Sequence, residues 1–320
     1  MVMLHPIGLT KDHGAPLCRS AQSANDGPMN YRHAFHAGGH ADVLKHVVLA
    51  AMIERLKAKE APFRVLDTHA GIGVYDLAGD AAARTGEWRD GVGRLYDENG
   101  AARLLSPRAE AVLAPWRAAV AAVNREGAAL RRYPGSPEIA RLGLRPQDRL
   151  ALNELHPDDH ARLAAEYRRD ARVRITSLDA TLVAKAQLPP PERRGIILID
   201  PAYEATDDPE RAIVMLAEGH RRFSTGVFAL WYPVTGDELS ARLRRKLRAL
   251  ALPKLLDVIL TVRRPLAGRG LAGSGLMIVN PPWRLAESLR DLLPELAERL
   301  RQGNGATAAV TVLAGEELSQ

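Results

Sequence analysis

The stretch Gly195-Ile196-Ile197-Leu198-Ile199-Asp200-Pro201-Ala202-Tyr203-Glu204 limits the fold more than any other. A short, unbroken aliphatic run closed by turn residues predicts a strand buried on both faces, as in a parallel sheet. Pro201 has no N–H to give to a ladder, so the strand ends at Asp200. The expected class is therefore α/β, and in open α/β sheets ligands bind beyond the carboxyl ends of the strands. An acid, a carbonyl fixed by proline and an aromatic ring converge there. That set suits a flat ring carrying an amino group: the carboxylate and the carbonyl accept from the NH2 while Tyr203 stacks on the ring. The same residues also fit an ordinary strand followed by a turn, with Asp200 capping the next helix. The remaining chain has to separate the two.

Phe63-Arg64-Val65-Leu66-Asp67-Thr68-His69-Ala70-Gly71-Ile72-Gly73 is a second strand running into a glycine loop. It is not G-x-G-x-x-G, and no Lys-Ser/Thr follows, which disfavours a phosphate cradle and a dinucleotide. The D-x-x-x-G-x-G spacing after an apolar strand is typical of S-adenosylmethionine sites. Arg149 to Glu154 is another strand ending on an acid, placed to accept both hydroxyls of a ribose; a surface acid before a turn gives the same letters. Val173 to Thr176 is followed by Asp179-Ala180, an acid past a strand end that suits a cofactor's adenine amino group.

Upstream, residues 31–46 are dense in histidine: His33, His36, His40 and His46. A zinc site needs a ligand signature this stretch lacks. Packing histidines are one reading. A mobile lid over a nucleotide, with Gly38-Gly39 as its hinge, is another. A helix from about residue 41 to 59 is apolar almost all round in its first half, so His46 is expected to be buried and to need a partner, either a backbone group or a ligand.

Residues 1–28 mix Gly, Pro, Ser, Asn and Asp without periodicity and are expected to form a disordered extension. Residues 79–132 break the α/β alternation and are expected to form a small helical insertion, between 29–78 and 133–320 of the main domain. Tyr133-Pro134-Gly135-Ser136-Pro137 brings the chain back, with Ser136 either in the site or capping the next helix. The arginine- and glycine-rich loop 263–273 fits a phosphate backbone or a solvated connection. Asn280-Pro281-Pro282-Trp283 matches an amino-group clamp in letters. It is taken as a structural strand end, since too little chain follows to complete a sheet around it.

A net charge of +6, carried largely by arginine, favours an anionic partner. One cysteine rules out intrachain disulfides and multi-cysteine metal centres. Neither a membrane-length apolar run nor a secretory leader is visible, so a cytoplasmic protein is expected.

These motifs, in this order, resemble a class I S-adenosylmethionine-dependent methyltransferase, and more closely the bacterial 23S ribosomal RNA adenine-N6 methyltransferases of the J type. The resemblance covers about residues 31–313. It rests on Tyr-Arg-His-x-Phe-His-Ala-Gly-x-His-Ala-Asp-Val-Leu-Lys-His at 31–46, Asp-Thr-His-Ala-Gly at 67–71, Tyr-Pro-Gly-Ser-Pro at 133–137, Glu-Leu-His-Pro at 154–157 and Leu-Ile-Asp-Pro at 198–201. It implies a Rossmann-like fold with a mostly parallel seven-stranded sheet and a helical insertion. It implies a monomer that binds 23S ribosomal RNA and S-adenosylmethionine, with no metal and no membrane. Asp200 would be catalytic. His46, His69, Ser136, Glu154, Asp179 and Ala180 would line the cofactor pocket. Tyr31, His33, Lys45 and Tyr203 would meet the substrate. The family has Asp-Pro-Pro-Tyr where this chain has Ala202, and favours Asp-Gly where it has Asp179-Ala180. A DNA adenine-N6 methyltransferase shares the catalytic features, and a non-catalytic RNA-binding protein would keep the fold.

Overall fold

Six of the eight strands in the central sheet point the same way, and the run 195–199 lies near its middle. The computed structural model describes residues 32–125 and 128–314. The expected extension 1–28 and Tyr31, expected to meet the substrate, lie outside the described residues.

The chain opens with a 3-10 turn, His33–Phe35, and helix α1, His40–Lys57. Strands β1 (Arg64–Asp67) and β2 (Val74–Asp76) follow, then α2 (Asp80–Thr85), 3-10 turns at Glu87–Asp90 and Val92–Leu95, and α3 (Pro107–Ala122). Next come β3 (Arg132–Pro134), α4 (Ser136–Gly143), β4 (Arg149–Asn153), α5 (Pro157–Tyr167), β5 (Val173–Thr176), α6 (Ala180–Gln187) and β6 (Gly195–Ile199). The last third holds α7 (Asp208–Arg222), β7 (Val227–Val234), α8 (Leu239–Ala249), β8 (Leu255–Thr261), β9 (Gly273–Val279), α9 (Leu285–Arg299) and β10 (Thr307–Ala314). The large sheet runs β10-β8-β9-β7-β6-β1-β4-β5, and β2 and β3 form a separate two-stranded ribbon.

Alternation across the pleat explains why β6 is aliphatic throughout. Ile196 and Leu198 enter the core under α1, α3, α4 and α9, while Ile197 and Ile199 enter the core under α6, α7 and α8. Helix α1 lies between the sheet and other helices, touching β6, β9, α3, α4 and α9, so its first three turns have almost no face for water.

β4 and β5 step outward on one side of β1, and β6 and β7 on the other. The strand order reverses at β1, and a crevice opens there above the carboxyl ends. Strand β9 runs antiparallel between β7 and β8. The eighth strand, β10, departs from the expected seven. It pairs antiparallel with β8, after α9, so the chain behind Asn280 does complete the sheet. Its sequence is mostly Ala and Thr and it sits half-exposed on an edge, which gives it a weak hydrophobic signature.

Candidate active site

Asp200 emerges from the end of β6 in the middle of the crevice, and its carboxylate Oδ2 accepts a hydrogen bond from Lys45 Nζ. The lysine comes from the second turn of α1, where His40, Asp42, Lys45 and His46 are all buried although polar. Positions 42, 45 and 46 share a helical face, and that face is turned to the sheet edge. Lys45 also donates to Asp42 Oδ1 at 3.0 Å and lies 6.0 Å from the centre of the Trp231 ring. Its side chain is 5 % exposed, against 2 % for Asp42 and 12 % for Asp200. A buried ammonium thus sits between two carboxylates, the arrangement a low-dielectric site needs to keep it charged.

Asp42 does more than hold the lysine. Its Oδ2 accepts from the Gly38 N–H at 3.0 Å and from His33 Nε2 at 2.9 Å. The segment 33–39 is thereby tied to the helix that carries Lys45. Burial pushes the Asp42 carboxyl up, but His33, Lys45 and His46 together hold it well below the usual carboxylate range. The sequence signal for Asp42 was an acid in the first turn of a helix whose first half is largely apolar.

Beyond β1 the glycine loop is built on close approaches. Gly71 and Gly73 have φ of 65° and 87°, and a Cβ on either would sit 2.2 Å from the Tyr75 hydroxyl or 2.4 Å from the Tyr167 hydroxyl. Glu154, past β4, accepts from Gly71 N–H and from His156 N–H, each at 2.8 Å. It holds the loop open, and its remaining lone pairs stay available. Next to it, the amide of buried Asn153 donates to Thr68 O and Leu178 O and accepts from Leu178 N–H, lacing three strand ends together.

Asp67, the acid of the D-x-x-x-G-x-G spacing, is 1 % exposed. Its Oδ1 accepts from His69 N–H at 3.1 Å, and its buried Oδ2 has no hydrogen-bond partner. The Ser136 hydroxyl is near enough to draw the carboxyl down without a bond of normal geometry. Burial outweighs it and pushes Asp67 up to about 6. A buried carboxylate with an open oxygen needs a donor that a ligand can bring.

His69 is held neutral, lowered to about 4 by burial. Its Nδ1 lies 3.4 Å from the Asp200 N and 2.8 Å from the Thr68 hydroxyl, which itself donates to Leu198 O at 3.0 Å. His46 is lowered to about 3, again by burial. The Trp116 indole only donates, and its Nε1 is 3.4 Å from the Tyr133 hydroxyl; that hydroxyl therefore gives its own proton to His46 Nδ1 at 2.9 Å. The partner is a tyrosine side chain, not the backbone group or ligand expected.

Ser136 begins α4 at a buried position but makes no cap; Gly135 occupies the cap. Asp179 caps α6 through Thr181 N–H at 2.9 Å and pairs with Arg211 at 2.5 Å. Burial raises it, yet Thr181 and Arg211 keep it below the ordinary value. Ala180, the first residue of α6, needs no positive φ, so alanine there carries no strain. Ala202 is exposed and also free of positive φ. Tyr203 is the strained member, with φ of 58°. Its hydroxyl donates to Trp231 O at 2.7 Å and its ring lies 5.8 Å from that of Trp231.

Asn280 sits at the far end of the sheet from Asp200, because β9 is antiparallel to β7. Its amide donates to Ser224 O and Gly226 O, both at 2.8 Å, and Trp283 is 66 % exposed. The strand-end reading holds, but strand direction is the reason. His33, His36 and His46 go to Asp42, Glu87 and Tyr133. Among the described residues no group of three His, Cys, Asp or Glu side chains is placed to hold a metal ion.

Comparison with known proteins gives a consistent result. A family described as ribosomal RNA large subunit methyltransferase D, RlmJ, matches residues 60–312. Ribosomal RNA large subunit methyltransferase J of Escherichia coli K12 is 43 % identical over 288 residues, 90 % of this chain and all of the relative. The protein of the same name from Haemophilus influenzae is 41 % identical over 272 residues, covering 85 % and 94 %. The crystal structure of LPL1258 from Legionella pneumophila superposes with a TM-score of 0.77 at 31 % identity, covering 89 % of this chain and 100 % of that one.

Proposed function

The chain belongs to the ribosomal RNA large subunit methyltransferase J family, and from that premise we propose that the crevice at the carboxyl ends of β1, β4 and β6 is where a methyl group passes from S-adenosylmethionine to the N6 amino group of an adenine in 23S ribosomal RNA. The observation that carries this reading is Asp200, fixed by Lys45 at the strand-order reversal beside the glycine loop.

The residues present fit the cofactor. The open Oδ2 of Asp67 suits an ammonium, and Gly71 and Gly73, packed against the Tyr75 and Tyr167 hydroxyls at positive φ, hold the loop in a turn that no side chain would allow. Glu154 has lone pairs left for ribose hydroxyls, while Asp179 and the Ala180 N–H suit an adenine edge. His46, His69 and Ser136 close the wall. When bound, S-adenosylmethionine supplies an electrophilic methyl on a sulfonium.

The lone pair of adenine N6 is delocalised into its ring, so the protein has to localise it. Lys45 occupies Oδ2 of Asp200, which leaves Oδ1 to accept one N6 proton; the Pro201 carbonyl accepts the other. The nitrogen then becomes pyramidal and its lone pair points at the methyl carbon. With S-adenosylmethionine bound, the nitrogen would take its methyl while the C–S electron pair would stay with the departing thioether, and Asp200 Oδ1 would receive the surplus N6 proton. Positioning supplies most of the acceleration. The target base has to be flipped out of its helix; Tyr203 meets its face, and His33 and Lys45 approach from α1 and the segment before it. In this reading, a monomer meets the RNA in the cytoplasm. Among the described residues no helix is long and apolar enough to cross a membrane. The DNA-directed and non-catalytic readings are not favoured.

Asp200→Asn tests this directly. It should bind S-adenosylmethionine within about twofold of wild type and transfer methyl to 23S ribosomal RNA at least roughly 100-fold more slowly. Near-normal turnover would remove Asp200 from the reaction, and labelling of DNA in preference to ribosomal RNA would move the substrate assignment.

A further inference from the structure

Nothing in the methyl-transfer site accounts for the loop between β8 and β9. It holds Arg263, Arg264 and Arg269 and not one acid across residues 262–272. β8 runs in the same direction as β6 and β7, so this hairpin leaves the sheet on the edge where Asp200 lies. Arg263 shapes the loop from inside, with Nη2 donating to Leu271 O at 3.1 Å and to Arg269 O. Arg264 and Arg269 are exposed, and among the described residues neither pairs with an acid. Gly268 and Gly270 turn with φ of 71° and 67°, and a Cβ on either would meet nothing within 4 Å. The side chains of Arg264 and Arg269 here stand open to a ligand from solvent.

The hairpin is also physically joined to the segment that ends on α1. Arg264 N–H donates to Asn304 O at 2.8 Å and Gln302 N–H to Val262 O at 2.7 Å. Gln302 Nε2 reaches Asp90 O at 3.4 Å, Arg94 donates to Arg301 O, and Val92 N–H donates to Gly38 O at 2.8 Å. A continuous run of contacts thus links residues 36–42, beside Lys45, to the arginine hairpin.

We propose that the β8–β9 hairpin is a phosphate track for the substrate RNA, with Arg264 and Arg269 each taking a backbone phosphate on the strand that delivers the target adenine. This deepens, and rests on, the ribosomal RNA reading above. Guanidinium groups without acid partners, set beside open glycine turns, suit phosphodiesters better than any apolar or cationic partner. Contacts of this kind set position and affinity without reading sequence.

The test uses the full chain, naked 23S ribosomal RNA transcript and the double variants Arg264→Ala/Arg269→Ala and Arg264→Glu/Arg269→Glu. Both substitute exposed loop residues. RNA binding is measured across a salt series, alongside S-adenosylmethionine affinity and methyl transfer at saturating RNA. The alanine pair should weaken RNA binding roughly tenfold and the glutamate pair more. It should also lower the slope of log affinity against log salt by about 1.4, as for two single-strand phosphates. Cofactor affinity and the saturated rate should stay within about twofold. Wild-type RNA affinity and salt slope in both variants would overturn the proposal. So would a loss seen only on assembled subunits with naked RNA unaffected, which would point to an acidic ribosomal protein. A wild type that binds the transcript without methylating it would overturn the catalytic reading alone, and the variants' RNA affinity would still decide the hairpin.

Discussion

Asp42, Asp67 and Asp200 are three carboxylates in one crevice with three different balances of burial and partners. Asp42 has a donor on each side and keeps its charge although buried. Asp42→Ala would strip Lys45, His33 and the Gly38 N–H of a shared acceptor at once. Breaking a buried ion cluster from one side costs about 3 kcal/mol or more. Denaturant unfolding should register that loss, and hydrogen exchange of residues 32–39 should rise more than exchange of the sheet. Asp67 has the opposite problem: burial raises it to about 6, so its charge at neutral pH destabilises the ligand-free fold. Asp67→Asn should therefore stabilise the free protein at pH 7, by on the order of 2 kcal/mol. It should also weaken S-adenosylmethionine binding at least tenfold, read by calorimetry. Equal cofactor affinity in the variant would mean that the open Oδ2 serves no ligand. Ala180 and Ala202, the departures from the family pattern, both sit at positions without positive φ, so neither demands glycine.

At the scale of elements, two strand ends with similar letters have opposite consequences. Asn280 ties β9 to the start of β7 through Ser224 O and Gly226 O, at a φ of 51°. Asn280→Ala removes two donors and places alanine in the left-handed region, so stability should fall by about 1–3 kcal/mol. The methyl-transfer rate per folded molecule should not change. A loss of rate with full stability would place this strand end in the chemistry. The glycine loop after β1 is the reverse case. Gly73→Ala pushes a Cβ against the Tyr167 hydroxyl, which donates to Glu138 at 3.1 Å. Cofactor affinity should fall about tenfold or more while the sheet persists by circular dichroism. The sequence marked both ends by their Pro and Gly residues. Strand direction, which separates them, depended on pairing between segments some fifty residues apart.

For the whole molecule, the buried neutral histidines set the acid limit. His40, His46 and His69 are lowered to about 4, 3 and 4 by burial. The unfolded chain binds protons at these sites from about pH 6.5 downward, whereas the folded chain does not. Their stabilisation is complete above that pH and is lost as pH falls toward 4. Asp67 works against them, because the folded state takes up its proton near pH 6. The net expectation is a loss of roughly 4 kcal/mol between pH 7 and pH 5 in urea unfolding. A stability that is flat across this range would mean that the histidines are hydrated in the native state.

The sequence alone determined the class of fold, the strands that end at Asp67, Glu154 and Asp200, and the chemistry suggested by an acid followed by proline and an aromatic. These are local properties: periodicity, a missing N–H, a glycine where a Cβ has no room. Tertiary structure alone decided that a lysine 155 positions away binds Asp200. It also decided that Asp42 joins the lysine to residues 33–38, that Tyr133 and Trp116 orient His46, and that β10 completes the sheet. Each of those depends on which buried polar group finds which partner, and no local pattern carries that. The partner is chosen when separate elements pack and water is excluded between them.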